Sequence, residues 1–227
     1  MEPLSEDELG DLAPRSLDIQ LESGEEYFRL KEYDGGLLLI KRGRVRVYKL
    51  TSGGRQYTVA LLGEGRAFPT WKSPDLHLQA METSAVAFMR REVLERLVRK
   101  SSEVGLRLVR LLSYHLRRSE ERMCEMVYKD VPSRLASAIL RLIQDEGIVT
   151  REGYKIPTHY THGQLGTMIG ANRVAVTKAF ATLQDLGAVE LKRRLIHVPD
   201  LEALRRLASE EREAARNGAP TKEGDPG

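Results

Sequence analysis

The chain of 227 residues contains one cysteine, Cys124, so it can form no internal disulfide and cannot supply the thiolate set of a zinc or iron–sulfur site. Cys124 is expected as a small packing residue on a helix. Long apolar runs are also missing: nothing approaches the roughly 20 residues that a membrane helix requires. The acidic opening, residues 1–12, has neither the basic start nor the apolar core of a secretory signal. A cytoplasmic protein with no membrane association is expected. The five histidines, His77, His115, His159, His162 and His197, show no metal-ligand spacing. A cupin-type enzyme would need two or three of them with a glutamate converging in a barrel, and only His77 is available there. No enzymatic activity, metal or cofactor is expected. Internal repeats are absent as well.

What is present is enough for two domains of ordinary size, since 41% of the residues are apolar. The net charge of +3 is small but unevenly placed. Residues 133–198 carry nine Lys and Arg against five Asp and Glu, whereas residues 1–100 carry sixteen of each. The position of the excess, more than its size, is consistent with a nucleic-acid partner for the C-terminal part.

The most informative stretch is THGQLGTMIGANRVAVTKAFATLQDL, residues 161–186. Leu165, Met168 and Ile169 form the apolar stripe of a first short helix, with Thr161 as its N-cap and Gly170 where the chain must turn. Val176, Phe180 and Leu183 restart the stripe on a second helix capped by Asn172. The face left over carries Arg173, Val174, Thr177 and Lys178. This is the spacing of a DNA-reading helix-turn-helix. A guanidinium can grip guanine O6 and N7, a valine can pack on a thymine methyl, and an ammonium can reach a base edge or a phosphate. Thr161 and His162, with His159, are expected to contact phosphate or cap the turn. A surface helical hairpin whose charges face only water is the alternative. Residues 189–198 alternate apolar and polar around a basic turn and are predicted to form a β-hairpin wing. Lys192, Arg193 and Arg194 at its tip have no acidic partner within the turn and are expected to meet phosphates.

Residues 17–90 hold short apolar runs at 37–40, 45–50, 57–62 and 85–89 between glycine-bearing turns, which predicts a β-rich barrel or sandwich. From Arg91 the period becomes helical, with a short helix at 91–100 and a long one at 101–128. On the long helix Val109, Leu112, Leu116, Ser119, Met123 and Met126 follow alternating steps of three and four, the spacing of a coiled-coil seam. Val104, Leu108 and Leu111 form a second stripe. One face is expected on the β domain and the other on a second copy of the chain. Lys129-Asp130-Val131-Pro132 is predicted to interrupt the helix as a hinge, with Ser133 capping the next helix and Gly147 ending it. A short strand is expected at 154–156, and a last helix from Leu201 to about Ala215. The division is therefore a β-barrel effector-type domain at 1–100, a dimerisation helix and hinge at 101–130, a winged helix-turn-helix domain at 131–215 and a disordered tail at 216–227. The fold class is α+β.

In this order of parts the chain resembles the CRP/FNR superfamily of bacterial transcription regulators over nearly its full length. Ile40-Lys41-Arg42-Gly43-Arg44-Val45-Arg46-Val47 matches the strand–Gly–strand signature of its cyclic-nucleotide-binding-type barrel, a jelly roll. Ile169 to Lys178 matches its recognition helix, so Arg173, Val174 and Lys178 inherit base-reading roles. Valine at 174 departs from the commoner glutamate and is similar to the nitrogen-control (NtcA-type) branch, which implies a GTA-like half-site. The resemblance implies a homodimer, joined through Val109, Leu112, Leu116, Met123 and Met126, on an inverted-repeat DNA site, and RNA polymerase as a partner of an activator.

The cyclic-nucleotide pocket of the family carries a Gly-Glu pair and, further on, an Arg-Ser/Thr-Ala segment. Here Pro69-Thr70 replaces the first, and no arginine precedes Gln79-Ala80. A buried cyclic phosphate without its guanidinium would be an unpaired anion, so independence from cyclic AMP is expected. Alternatively, Arg66 or Lys72 supplies the cation for another ligand such as 2-oxoglutarate in a gated sensor. Phe68 and Trp71 are expected to line or fill the pocket, and His77 is the residue a haem sensor would use.

Overall fold

The computed structural model describes residues 17–27, 35–70 and 75–209. The expected tail at 216–227 and the far end of the last helix lie outside these residues, as do Trp71 and Lys72. The contacts divide the chain into two compact units, which meet at Ser119 and Glu120 within the long helix.

The first unit opens with eight strands, β1 (Leu17–Leu21), β2 (Glu26–Tyr27), β3 (Gly36–Arg42), β4 (Val45–Leu50), β5 (Gln56–Leu62), β6 (Ala67–Pro69), β7 (Leu76–Ala80) and β8 (Ser84–Arg90). They form two antiparallel sheets of order β1-β8-β3-β6 and β2-β7-β4-β5. The expected β-barrel is thus a pair of facing sheets in the manner of a jelly roll. The two-residue period decides which side chains go inside: on β5, Thr58, Ala60 and Leu62 are buried and their neighbours are less so. Leu38 and Ile40 from one sheet and Val45, Val47 and Leu78 from the other meet in the interior, with Phe88 beside them. At Gly43 the backbone has φ 80°, and a Cβ there would lie 2.6 Å from the Thr83 carbonyl oxygen, so the β3–β4 turn needs glycine for both conformation and space. β6 and β7 lie in the stretch compared above with the family's cyclic-nucleotide pocket.

Two helices follow, α1 (Arg91–Lys100) and α2 (Ser102–Tyr128). Leu37, Leu39, Ala87 and Met89, on the outer face of the first sheet, pack with Val93 of α1 and Leu111 of α2, and Leu108 joins them. Leu108 and Leu111, two residues of the second predicted stripe, therefore face the β unit.

The second unit contains α3 (Val131–Glu146), strands β9 (Ile148–Thr150) and β10 (Gly153–Lys155), helices α4 (His162–Ile169) and α5 (Arg173–Asp185), strands β11 (Glu190–Lys192) and β12 (Leu195–Val198), and α6 (Leu201–Ser209). Leu135, Ile139, Leu142, Leu165, Val176, Phe180, Leu183 and Leu204 are its buried centre. The four strands form one sheet of order β11-β12-β10-β9. The expected strand is β10, one residue earlier than predicted, and β9 was not predicted.

Two features of the hinge are corrected. Asp130, not Ser133, is the N-cap of α3: its Oδ1 accepts from the Ser133 backbone N–H at 2.9 Å and from the Ser133 hydroxyl at 2.7 Å. Pro132 sits inside the first turn, where a missing N–H costs no helical hydrogen bond, so the interruption is confined to Lys129 and Asp130. Gly147 does end α3, but with φ −63°. A Cβ at that position would be 2.5 Å from the Ile143 carbonyl oxygen, so space rather than left-handed backbone requires glycine.

Candidate nucleic-acid interface

Local sequence builds the two-helix motif. Thr161 Oγ1 accepts from the Gln164 backbone N–H at 3.1 Å, and Gln164 Oε1 accepts from the Thr161 N–H at 2.9 Å, a reciprocal capping box that starts α4. Gly170 ends α4 in the left-handed region at φ 66°. A Cβ on Gly166 would stand 2.5 Å from the Ala171 carbonyl oxygen, so a glycine lets the turn close onto α4. Asn172 Oδ1 accepts from the Ala175 N–H at 2.8 Å and starts α5. With Val176, Ala179, Phe180 and Leu183 buried, the opposite face of α5 presents Arg173, Val174, Thr177 and Lys178 to solvent, and Val174 is 65% exposed. Positions one, two, five and six of the helix share one side, so these four are neighbours.

His162 lies between the two helices. Its Nδ1 is 2.9 Å from Thr177 Oγ1, and its ring stacks on Phe180 with centroids 5.3 Å apart and an interplanar angle of 26°. Burial, and then the charge of Arg173, push its pKa below the ordinary imidazole value.

The wing is a hairpin in which Lys192 pairs with Leu195 across a two-residue turn. Arg193 and Arg194 have φ 53° and 65°, the type I′ conformation that Asn-Gly normally occupies. Both guanidinium-bearing residues are exposed. Lys192 differs from the expectation: its ammonium contacts Glu152 and Glu190, each at 2.8 Å. The hydrogen bonds that Lys192 donates to these two carboxylates, Glu152 first, raise the lysine pKa above its ordinary value. Glu152 comes from the β9–β10 turn, forty residues away in sequence, so a local reading of the wing missed it.

One buried cation was also missed. Arg134 on α3 is 8% exposed; its Nη1 donates to the Ile169 carbonyl at 2.9 Å and its Nε to the Asp130 carbonyl at 3.4 Å. The guanidinium thus joins the cap of α3 to the last residue of α4. Nothing in sequence distinguished it from a solvated arginine, since the pattern around it is an ordinary amphipathic helix.

The seam residues of α2 face outward: Val109 is 60% exposed, Leu116 60% and Met123 55%, with Leu112 and Met126 also open. Of the ligand residues expected from sequence, Arg66, Phe68 and His77 are among the described ones. Phe68 is buried in the interior between the two sheets, and its ring meets the His115 ring edge-on at 4.9 Å. Arg66 immediately precedes β6. His77 is on β7 rather than in a loop; Leu76 and Leu78 point inward, so alternation turns His77 to the other face, where it stacks on Tyr48 at 5.2 Å.

Residues 133–207 match the Crp-like helix-turn-helix domain family. Over 190 residues the chain is 24% identical to the CRP-like cAMP-activated global transcriptional regulator of Mycobacterium tuberculosis, covering 82% of this chain and 85% of that protein. It is 26% identical over 164 residues to the global nitrogen regulator of Nostoc sp., covering 69% and 74%. Among solved structures, a CooA variant from Carboxydothermus hydrogenoformans superposes with a TM-score of 0.75 at 25% identity, covering 90% of this chain and 93% of that one. Among the described residues no helix is long and apolar enough to cross a membrane.

Proposed function

We propose that the chain is a member of the CRP/FNR superfamily of DNA-binding transcription regulators, a family of regulators rather than enzymes, and that it reads an inverted-repeat site as a homodimer without cyclic AMP. The observation that carries the DNA-reading part is the exposed face of α5, where Arg173, Val174, Thr177 and Lys178 stand together on a helix fixed by Asn172. Arg173 would grip a guanine, Val174 would pack on a thymine methyl, and Lys178 would reach a base edge or a phosphate. Valine offers cytosine N4 no acceptor, which favours a GTA-like half-site. Arg193 and Arg194 would hold the duplex at phosphates, and Thr161 at the start of α4 would meet the DNA backbone. Lys192 acts chiefly as a brace between the wing and the β9–β10 turn, because two carboxylates already hold it.

The outward seam on α2 supports dimerisation. Five large apolar side chains along one line of an exposed helix are costly in water, and a second copy would cover them. A two-fold dimer sets its reading helices roughly 34 Å apart, one turn of B-DNA, and therefore selects an inverted repeat. Independence from cyclic AMP is supported by the missing Gly-Glu pair and phosphate arginine, and by Phe68, which fills part of the interior between the sheets. The similarity to a cAMP-activated regulator and to a global nitrogen regulator favours a second reading, a sensor gated by a cyclic nucleotide or an organic acid such as 2-oxoglutarate. If the protein activates transcription, RNA polymerase is its further partner.

The test is selection of purified protein on a randomised duplex pool, alone and with cyclic AMP or 2-oxoglutarate. An enriched palindrome without added ligand is expected. Enrichment only with one ligand would replace this reading with the gated sensor, and enrichment of an unpaired half-site would overturn the dimer.

A further inference from the structure

Two contacts at the start of α5 meet on one hydroxyl. Thr177 Oγ1 donates to the Arg173 carbonyl oxygen at 2.9 Å and lies 2.9 Å from Nδ1 of His162. A threonine hydroxyl has one hydrogen, and here the carbonyl takes it, so toward His162 the oxygen must accept. Nδ1 of His162 therefore carries the proton. The imidazole is held in that orientation by its stack on Phe180, which is itself buried in the domain centre. A threonine hydroxyl on a helix can swing between staggered positions, and a donor aimed at it from α4 selects the one that returns to the Arg173 carbonyl.

We infer that His162 is a positioning residue for base recognition: its Nδ1–H holds Thr177, and Thr177 holds the first turn of α5 at Arg173. The inference rests on the DNA-reading function proposed above and reassigns two residues that the sequence had placed among the DNA contacts. His162 acts across the two-helix motif rather than on a phosphate, and the Thr177 hydroxyl is engaged within the protein rather than with a base. The direction in which Arg173 and Val174 leave the helix then depends on a contact that crosses from α4. A phosphate contact through Nε2 would instead affect every DNA sequence alike.

Asparagine and glutamine separate these two roles, because an Asn side-chain amide nitrogen takes the place of Nδ1 and a Gln amide nitrogen takes the place of Nε2. Full-length His162→Asn, His162→Gln, His162→Leu, Thr177→Val and the Leu/Val double variant are titrated by fluorescence anisotropy. The probes are the selected palindrome, the palindrome altered at each half-site position, and unrelated duplex. His162→Leu and His162→Gln are expected to lose on the order of tenfold discrimination at the base pair read by Arg173, the scale of one hydrogen bond, while unrelated duplex is bound nearly as before. His162→Asn is expected to restore most of it, and the double variant to be no worse than either single one. Rescue by Gln but not Asn, or an equal loss on all sequences, would overturn the inference and assign His162 to a phosphate. Unchanged discrimination in all variants would overturn it as well. Should the His162 variants fail to fold, Thr177→Val alone decides: it must lower discrimination at that same base pair. A wild type that prefers no sequence at all would remove the DNA-reading function itself, a result distinct from wild-type preference with Gln rescue.

Discussion

Changing Arg193→Asn and Arg194→Gly should make the protein more stable and a weaker ligand of DNA. Both arginines have positive φ, and they are the non-glycine residues with that conformation among the described ones. A left-handed backbone costs an ordinary L-residue about 1–2 kcal/mol, whereas Asn and Gly adopt it readily. Glycine returns about 0.5–1 kcal/mol of that through the entropy of the unfolded chain. The pair of substitutions should therefore stabilise the C-terminal unit by about 1 kcal/mol, a rise of roughly 4–8 °C in Tm if that unit melts as a domain of about 100 residues. Four cations disappear from the proposed dimer at the same time. If each meets one phosphate, the slope of log K against log salt becomes shallower by about 3.6, since each phosphate contributes about 0.9. Thermal and denaturant unfolding followed by circular dichroism measures the first quantity, and anisotropy titrations between 50 and 200 mM salt measure the second. Preference among half-site variants should not change, because Arg173 is untouched. A stabilised variant with the wild-type salt slope would refute the wing's phosphate role. A destabilised one would refute the strain argument.

Paired substitutions Leu112→Glu and Leu116→Glu should yield monomers in sedimentation velocity and abolish palindrome binding while leaving the far-ultraviolet spectrum intact; a persistent dimer would place the interface elsewhere. Arg134→Met should destabilise the C-terminal unit by about 1–3 kcal/mol in denaturant unfolding, because the Ile169 carbonyl loses its donor. Phe68→Ala should cost the N-terminal unit about 3–5 kcal/mol by the same assay, the range for emptying a packed aromatic site. The folded state depresses the His162 pKa below its ordinary 6.5, by burial first and Arg173 second. The unfolded chain therefore binds that proton more readily, so the contribution is complete above 6.5 and is lost as pH falls through the depressed value. Denaturant midpoints at pH 7.5 and 5 should show this part of the decline in the wild type and not in His162→Asn.

Much of the helix-turn-helix was legible because its determinants lie within a few residues of one another. Caps act over three residues, so Thr161 and Asn172 could be identified as helix starts, and Gly170 as a turn, from their immediate neighbours. Apolar periodicity likewise separated the outward line of Leu112 and Leu116 from the inward Leu108 and Leu111, since helical geometry converts spacing directly into faces. The hinge shows the limit of local reasoning. Asp130 and Ser133 are both good caps, and only the backbone reveals that the aspartate occupies the cap and the serine donates to it.

The sequence by itself determined the succession of β-rich part, long helix, two-helix motif and wing, with Arg173 and Val174 on the free face of the motif's second helix, because each depends on short-range chemistry and periodicity. Only the tertiary structure decided which of those groups are already engaged. Lys192 is held by Glu152, Arg134 by the Ile169 carbonyl, and Thr177 by His162, through partners fifteen to forty residues away. It also turned Phe68 and His77 to opposite faces of their strands, separating residues that sequence proximity had grouped. Hydrogen bonds and ion pairs form between atoms within a few ångströms, and for residues distant in the chain that proximity exists only once strands and helices have packed.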